Sequence, residues 1–287
     1  MWIEKLAYGI LELDTPIGPR YLQPNFIERA LLTWTFRNFS SLPQEVLRAS
    51  ERRLIDRLWN ENQFVSMAKD AGANVNRGVW AAGVNYEKGK FNIGAIDYYS
   101  EDIINIAYAQ GGFELPLATD WRLRFAGQYV DQGSVGDNEL QGHSFSGHQF
   151  GIKVELPIKK ALFTAAFTHA WGNANLQNPW SGYPGYTSVQ VQDFNRAGES
   201  AFLLRAGYDF PWVDGLSAYA LAVFGTDPDS ATQFRQNEFD SNLQWAPTKG
   251  VLKGLSLRLR YGVVQQFGGD VHNLTDFRAI CNYVIKF

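Results

Sequence analysis

The last strand-length stretch of the chain, TDFRAICNYVIKF at 275–287, constrains the fold more than any other. One alternate set of its side chains is Phe277, Ala279, Cys281, Tyr283 and Ile285. The other is Asp276, Arg278, Asn282 and Lys286, with Ile280 and Val284 as exceptions. A period of two is the signature of a β-strand. A strand with one apolar face and one charged face, ending the chain on Phe287, has the pattern of a segment that meets lipid on one side and water on the other.

The rest of the chain repeats this pattern. Alternating segments are read at 6–13, 30–37, 79–86, 91–99, 104–115, 121–130, 150–156, 162–171, 201–210, 217–225, 239–246, 255–266 and 275–287. They make about thirteen strands of about ten residues in an up-and-down meander. Connections at Pro16, Gly89, Pro116, Pro157, Pro211 and Pro247 fall at one end and are mostly short. Those at the other end are long and polar, which is the asymmetry of outer-membrane barrels. No constant-period repeat argues for a propeller, and no crossover pattern for a sandwich. Within the excursion after residue 37, Ser41 and Gln44 have capping-box spacing, and Leu47, Leu54, Ile55 and Leu58 recur at helical spacing. That segment is predicted to be a short amphipathic helix.

The expected fold is therefore all-β: a transmembrane antiparallel up-and-down β-barrel, a single domain over 1–287, incomplete at about thirteen strands. An odd number of strands does not close an antiparallel barrel. The opening MWIEKLAYGILELDTP also lacks the basic and apolar regions of a secretory signal. Both features are explained if the chain is the C-terminal part of a longer, N-terminally truncated protein.

Composition narrows the function. The chain is 45% apolar and 15% aromatic with 27 glycines, yet no apolar run approaches the roughly 18–20 residues of a membrane helix. A formal net charge of -3 gives no basic footprint for nucleic acid. Cys281 is the only cysteine, which leaves no intrachain disulfide or thiolate metal site, and the four histidines lack metal spacing. No metal or cofactor is expected. The expected partners are outer-membrane lipid and small-molecule solutes, with self-association into a homo-oligomer left open.

Alternation also indicates what lines the interior. Trp121, Leu123, Phe125 and Tyr129 face one way, so Arg122, Arg124 and Gln128 face the other. Leu255, Leu257, Leu259, Tyr261 and Val263 likewise turn Ser256, Arg258 and Arg260 inward. Lys153 with Glu155, Arg205 with Asp209, and Arg278 with Asp276 follow by the same count. A basic wall of Arg122, Arg124, Lys153, Arg205, Arg258, Arg260 and Arg278 would attract anions, and guanidinium forks match carboxylates. The plainer reading is that Glu155, Asp209 and Asp276 pair with these cations and merely solvate the wall. Arg122, Arg124 and Arg260 are the members expected to be unpaired. A hydrolase reading competes, because HSFSGH gathers His143, Ser144, Ser146 and His148. No GxSxG elbow accompanies them, and alternation alone cannot set a nucleophile against a base.

The run NPWSGYPGYTSVQVQDFNRAGESAFLLRAGYDF at 178–210 resembles the OprD family of outer-membrane porins, in its P-x-YTS and DFNRAGE elements. Arg278, Asn282 and Tyr283 resemble that family's C-terminal strand, and DTP at 14–16 its early turn. The departure is the VIKF ending. The resemblance implies a barrel of about eighteen strands in the outer membrane of a Gram-negative bacterium. It also implies passive passage of small, often carboxylate-bearing solutes along a ladder of basic side chains. The constriction would be shaped by the third and seventh external loops. Tyr186, Thr187, Ser188, Asp193, Asn195 and Arg196 match the seventh, so the loop at 172–198 is expected to fold toward the lumen.

Overall fold

The computed structural model describes residues 45–55, 57–60, 63–118, 121–179, 184–269 and 273–284. Its elements are β1 (Glu45–Ile55), β2 (Arg57–Asn60), β3 (Gln63–Ser66), α1 (Met67–Asp70), β4 (Val79–Lys88), β5 (Phe91–Ser100), β6 (Ile104–Ala118) and β7 (Trp121–Gly133). There follow β8 (Ser146–Ile158), β9 (Ala161–Gly172), β10 (Ser200–Asp209), β11 (Leu216–Gly225), β12 (Gln236–Trp245), β13 (Leu255–Gln266) and β14 (Leu274–Tyr283). Twelve of the strands form one sheet in the order β1-β4-β5-β6-β7-β8-β9-β10-β11-β12-β13-β14, and β2 pairs with β3. Among the described residues, no helix is long and apolar enough to cross a membrane.

The eleven strands read between 79 and 287 correspond one for one to β4 through β14. Those at 6–13 and 30–37 lie outside the described residues. The predicted helix is a correction: 45–55 is β1, antiparallel to β4 from Glu45↔Lys88 to Ile55↔Val79, with a register shift between Ser50 and Arg53. Helical spacing of four apolar residues is a weak local preference. The exposed backbone edge of β4 offers a row of hydrogen bonds that overrides it. The Ser41 and Gln44 pair lies outside the described residues.

Turn chemistry sets the meander. Gly89, at φ 59, allows the two-residue connection of β4 to β5. Lys159, at φ 52, takes the same left-handed conformation between β8 and β9. At the other end the connections at 134–145, 173–199, 226–235 and 267–273 are long, as expected. The β5–β6 connection is the exception, closing in three residues around Asp102 at φ 62.

The chain divides into two compact units. One comprises Met1–Gly112, Gln128–His148 and Gly172–Pro184. Its described core gathers Ala68, Ala73, Ile103, Ile104 and Phe145. The second comprises Phe113–Gly127, Gln149–Trp171 and Gly185–Phe287. Its core is Ala166, Ala201, Leu203 and Val223 from the strands and Phe194 from the loop after β9. The alternate residues on β10 and β11 are exposed, Phe202, Leu204 and Phe224, as are Leu257, Leu259 and Tyr261 on β13. Rings gather at both strand ends of this unit. Tyr208, Phe210 and Trp212 meet at one end, and Phe150, Phe167 and Trp171 at the other.

Candidate functional site

Within the second unit, residues 185–198 lie against the face of the strands opposite the exposed apolar set. Thr187 is fully buried, its hydroxyl 2.6 Å from that of Thr168 on β9. Tyr186 sits beneath Lys153 of β8, whose Nζ is 4.9 Å from the ring centroid. Burial, and then the nearby Glu155 carboxylate, push the Tyr186 phenol up to about 12. Ser188 donates to the Asp193 carboxylate and closes the loop on itself. Arg196 donates from Nε to Glu199 at 3.0 Å and from Nη1 to the Phe234 carbonyl at 2.8 Å. Gln149 on β8 donates 3.2 Å to the carbonyl of fully buried Phe194, the neighbour of Asn195. Tyr186, Thr187, Ser188, Asp193 and Arg196 thus each meet a named partner, four of them by direct polar contact. These contacts shape the loop itself.

The cations differ in what they meet. Arg122 and Arg124 share one carboxylate, Glu114, at 3.6 and 3.3 Å. The expectation that both are unpaired is corrected, because Glu114 on the neighbouring β6 faces them. Arg205 stacks over the ring of Tyr219 at 3.9 Å from its centroid, and Asp209 makes no ion pair among the described residues. Arg258 donates to Asn242 through Nε and reaches the Tyr219 hydroxyl at 3.4 Å. Arg205 and Arg258 therefore have neutral partners. Lys153 pairs with Glu155 at 3.5 Å. Arg278 pairs with Asp276 and donates 3.0 Å to the Gln190 carbonyl. Arg260, partly buried, stands opposite Arg278 in the β13–β14 register.

Residues that the sequence reading did not select hold the loop. Glu238 and Asp240 on β12 are 0% and 3% exposed. Glu238 accepts from the backbone N–H groups of Val191 and Gln192 at 2.8 and 2.7 Å, and Asp240 from that of Gln190 at 3.0 Å. The signal was present as the alternating polar row Gln236, Glu238, Asp240 and Asn242 in QNEFDSNLQW.

Members of the serine and histidine group meet other residues. Ser146 binds Asn173 through its backbone N–H at 2.6 Å, His148 pairs with Asp131 at 3.1 Å, and His143 Nδ1 lies 2.9 Å from the Gln141 carbonyl. Ser144 is exposed.

Solved structures share this architecture. OpdK of Pseudomonas aeruginosa, crystallised with vanillate, matches at a TM-score of 0.71 and 18% identity, over 85% of this chain and 66% of that one. OccAB3 of Acinetobacter baumannii matches at 0.72 and 15%, over 86% and 66%. A BenF-like porin of Pseudomonas fluorescens matches at 0.70 and 15%, over 85% and 66%. The chain thus spans about two thirds of the length of these structures. No curated protein matches it by sequence. The family model described as outer membrane porin, OprD family, matches residues 51–287. With that match over most of its length and an all-β antiparallel meander of outer-membrane barrel class, the chain belongs to the OprD family of outer membrane porins, proteins of the Gram-negative outer membrane.

Proposed function

We propose that the full-length protein is a passive channel for small anionic solutes, carboxylates above all, with a basic wall as its guide and the loop at 185–198 as a constriction. The observation that carries this reading is the pairing of Arg205 and Arg258 with neutral groups only, on the face against which the loop packs. A cation whose partner is a ring or an amide keeps its charge for a passing anion, whereas one in a carboxylate pair does not. At the high effective dielectric of a hydrated pore, each such contact is worth about 1 kcal/mol. Weak repeated attraction lets a solute enter and leave.

The test is selectivity of the full-length protein in planar bilayers. Arg205→Gln with Arg258→Gln is expected to move the reversal potential in a salt gradient toward cations. It should also slow carboxylate flux more than that of neutral solutes, by a margin that shrinks at high salt. Equal losses for charged and neutral solutes would mean that the arginines only hold the wall together.

A further inference from the structure

The loop has no regular secondary structure between residues 184 and 199, so its position depends on what its backbone meets. Three consecutive backbone N–H groups, of Gln190, Val191 and Gln192, end on two carboxylates of one strand, at 3.0, 2.8 and 2.7 Å. Glu238 uses both oxygens, one per amide, and is fully buried. The same segment is tied by three further contacts. Gln236 donates to the Gln192 side chain at 3.0 Å, Gln190 reaches Asp276 at 3.3 Å, and Arg278 donates to the Gln190 carbonyl at 3.0 Å. Gly262 on β13 completes the seat: a Cβ there would lie 2.7 Å from an Asp240 oxygen and 3.4 Å from the Gln190 side chain.

We propose that Glu238 and Asp240 are the positioning residues of the channel, a carboxylate clamp that fixes the backbone of Gln190–Gln192 on the wall and makes the loop a set aperture instead of a moving lid. Burial keeps water from competing for these hydrogen bonds, and an N–H left without its acceptor there would be costly. The clamp acts on the main chain, so the side chains at 190–192 can vary without releasing it. Arg278 closes the far side, so part of its charge serves the loop and not the solute. The inference rests on the loop being the constriction, and its test separates the two.

The experiment is amide hydrogen exchange on the full-length protein in micelles, read alongside single-channel recordings. An amide in place of the Glu238 carboxylate keeps one acceptor oxygen and loses the other. Glu238→Gln is therefore expected to raise exchange at Val191 and Gln192 about tenfold while β12 and β13 amides stay protected. Val191→Pro attacks the same bond from the loop, removing the N–H without touching the wall, and should loosen Gln192 in the same way. It also covers the case in which the wall substitution prevents barrel folding. Unchanged exchange at 190–192 in both variants, or loosening that runs equally through β12, overturns the clamp. If the amides loosen and open-channel noise rises, clamp and constriction both stand. If they loosen with conductance and noise unchanged, the clamp stands and the constriction reading falls.

Discussion

At the scale of single residues, the charge on the wall depends less on how many arginines face inward than on what each one touches. Glu114 meets two of them, so its removal should matter more than the removal of either arginine. Glu114→Gln is expected to shift the reversal potential of the full-length channel toward anions, in the opposite sense to Arg122→Gln. The change in relative permeability should be about fivefold if one released charge contributes about 1 kcal/mol. A shift toward cations would remove Arg122 and Arg124 from the path. Alternation expects Arg122, Arg124, Arg258 and Arg260 opposite the apolar set of their strands, because side-chain direction along a strand follows the period of two. It could not show that Arg205 lies on Tyr219 or that Arg258 reaches Asn242. Those contacts depend on the β10–β11 and β12–β13 registers, which a local pattern does not contain. Glu238 and Asp240 were legible as a polar row, but their role was not, since it needs the loop brought back onto β12.

At the scale of elements, the strands were legible and the connections only in part. Lengths of 10 to 15 residues for β4 through β14 give about 33 Å of extended chain or more. That is enough, when tilted by about 40°, for an apolar band about 25 Å tall. The segment at 45–55 was misread because the partner that makes it a strand, β4, lies some thirty residues on. Among the connections, Asp214 joins two turns: it accepts from the Thr248 N–H at 2.8 Å, the Thr248 hydroxyl at 2.7 Å and the Lys249 N–H at 3.2 Å. The Thr248 hydroxyl and N–H bonds hold its carboxyl below the usual carboxylate value of about 3.9. A depressed value means that the stabilisation is present above the unfolded value and is lost as pH falls through the folded one. Exchange at Thr248 and Lys249 should therefore stay slow down to about pH 4 and rise below it, relative to a strand amide. In Asp214→Asn it should already be fast at neutral pH, with barrel migration on gels unchanged. Equal protection in the variant would assign these amides to the turn geometry alone.

At the scale of the whole molecule, the two sets of side chains on a strand such as β10 meet different media, and the energetic contrast between them is what a membrane protein requires. The second unit buries Ala201 and Leu203 on β10, while the neighbouring Phe202 and Leu204 are 43% and 49% exposed. In water such a face would be an aggregation surface, whereas in a bilayer it is the solvated one. Leu204, near the middle of β10 (Ser200–Asp209), is a suitable probe of depth. Leu204→Arg in the full-length protein is expected to cost about 2–4 kcal/mol in folding into lipid vesicles, followed by urea titration and heat-modifiable gel migration. The same substitution at Phe202, close to the strand end and its aromatic neighbours, should cost about 0–1 kcal/mol for the charge itself, because the head can reach the interface. Replacing Arg205, one residue along and on the other face, by Gln should leave the folding free energy within about 1 kcal/mol of the parent while changing selectivity. If Leu204→Arg folds as well as the parent, that face is not in contact with lipid. If Arg205→Gln unfolds the protein, the polar face is a structural wall, and the division of labour between the two faces of β10 fails.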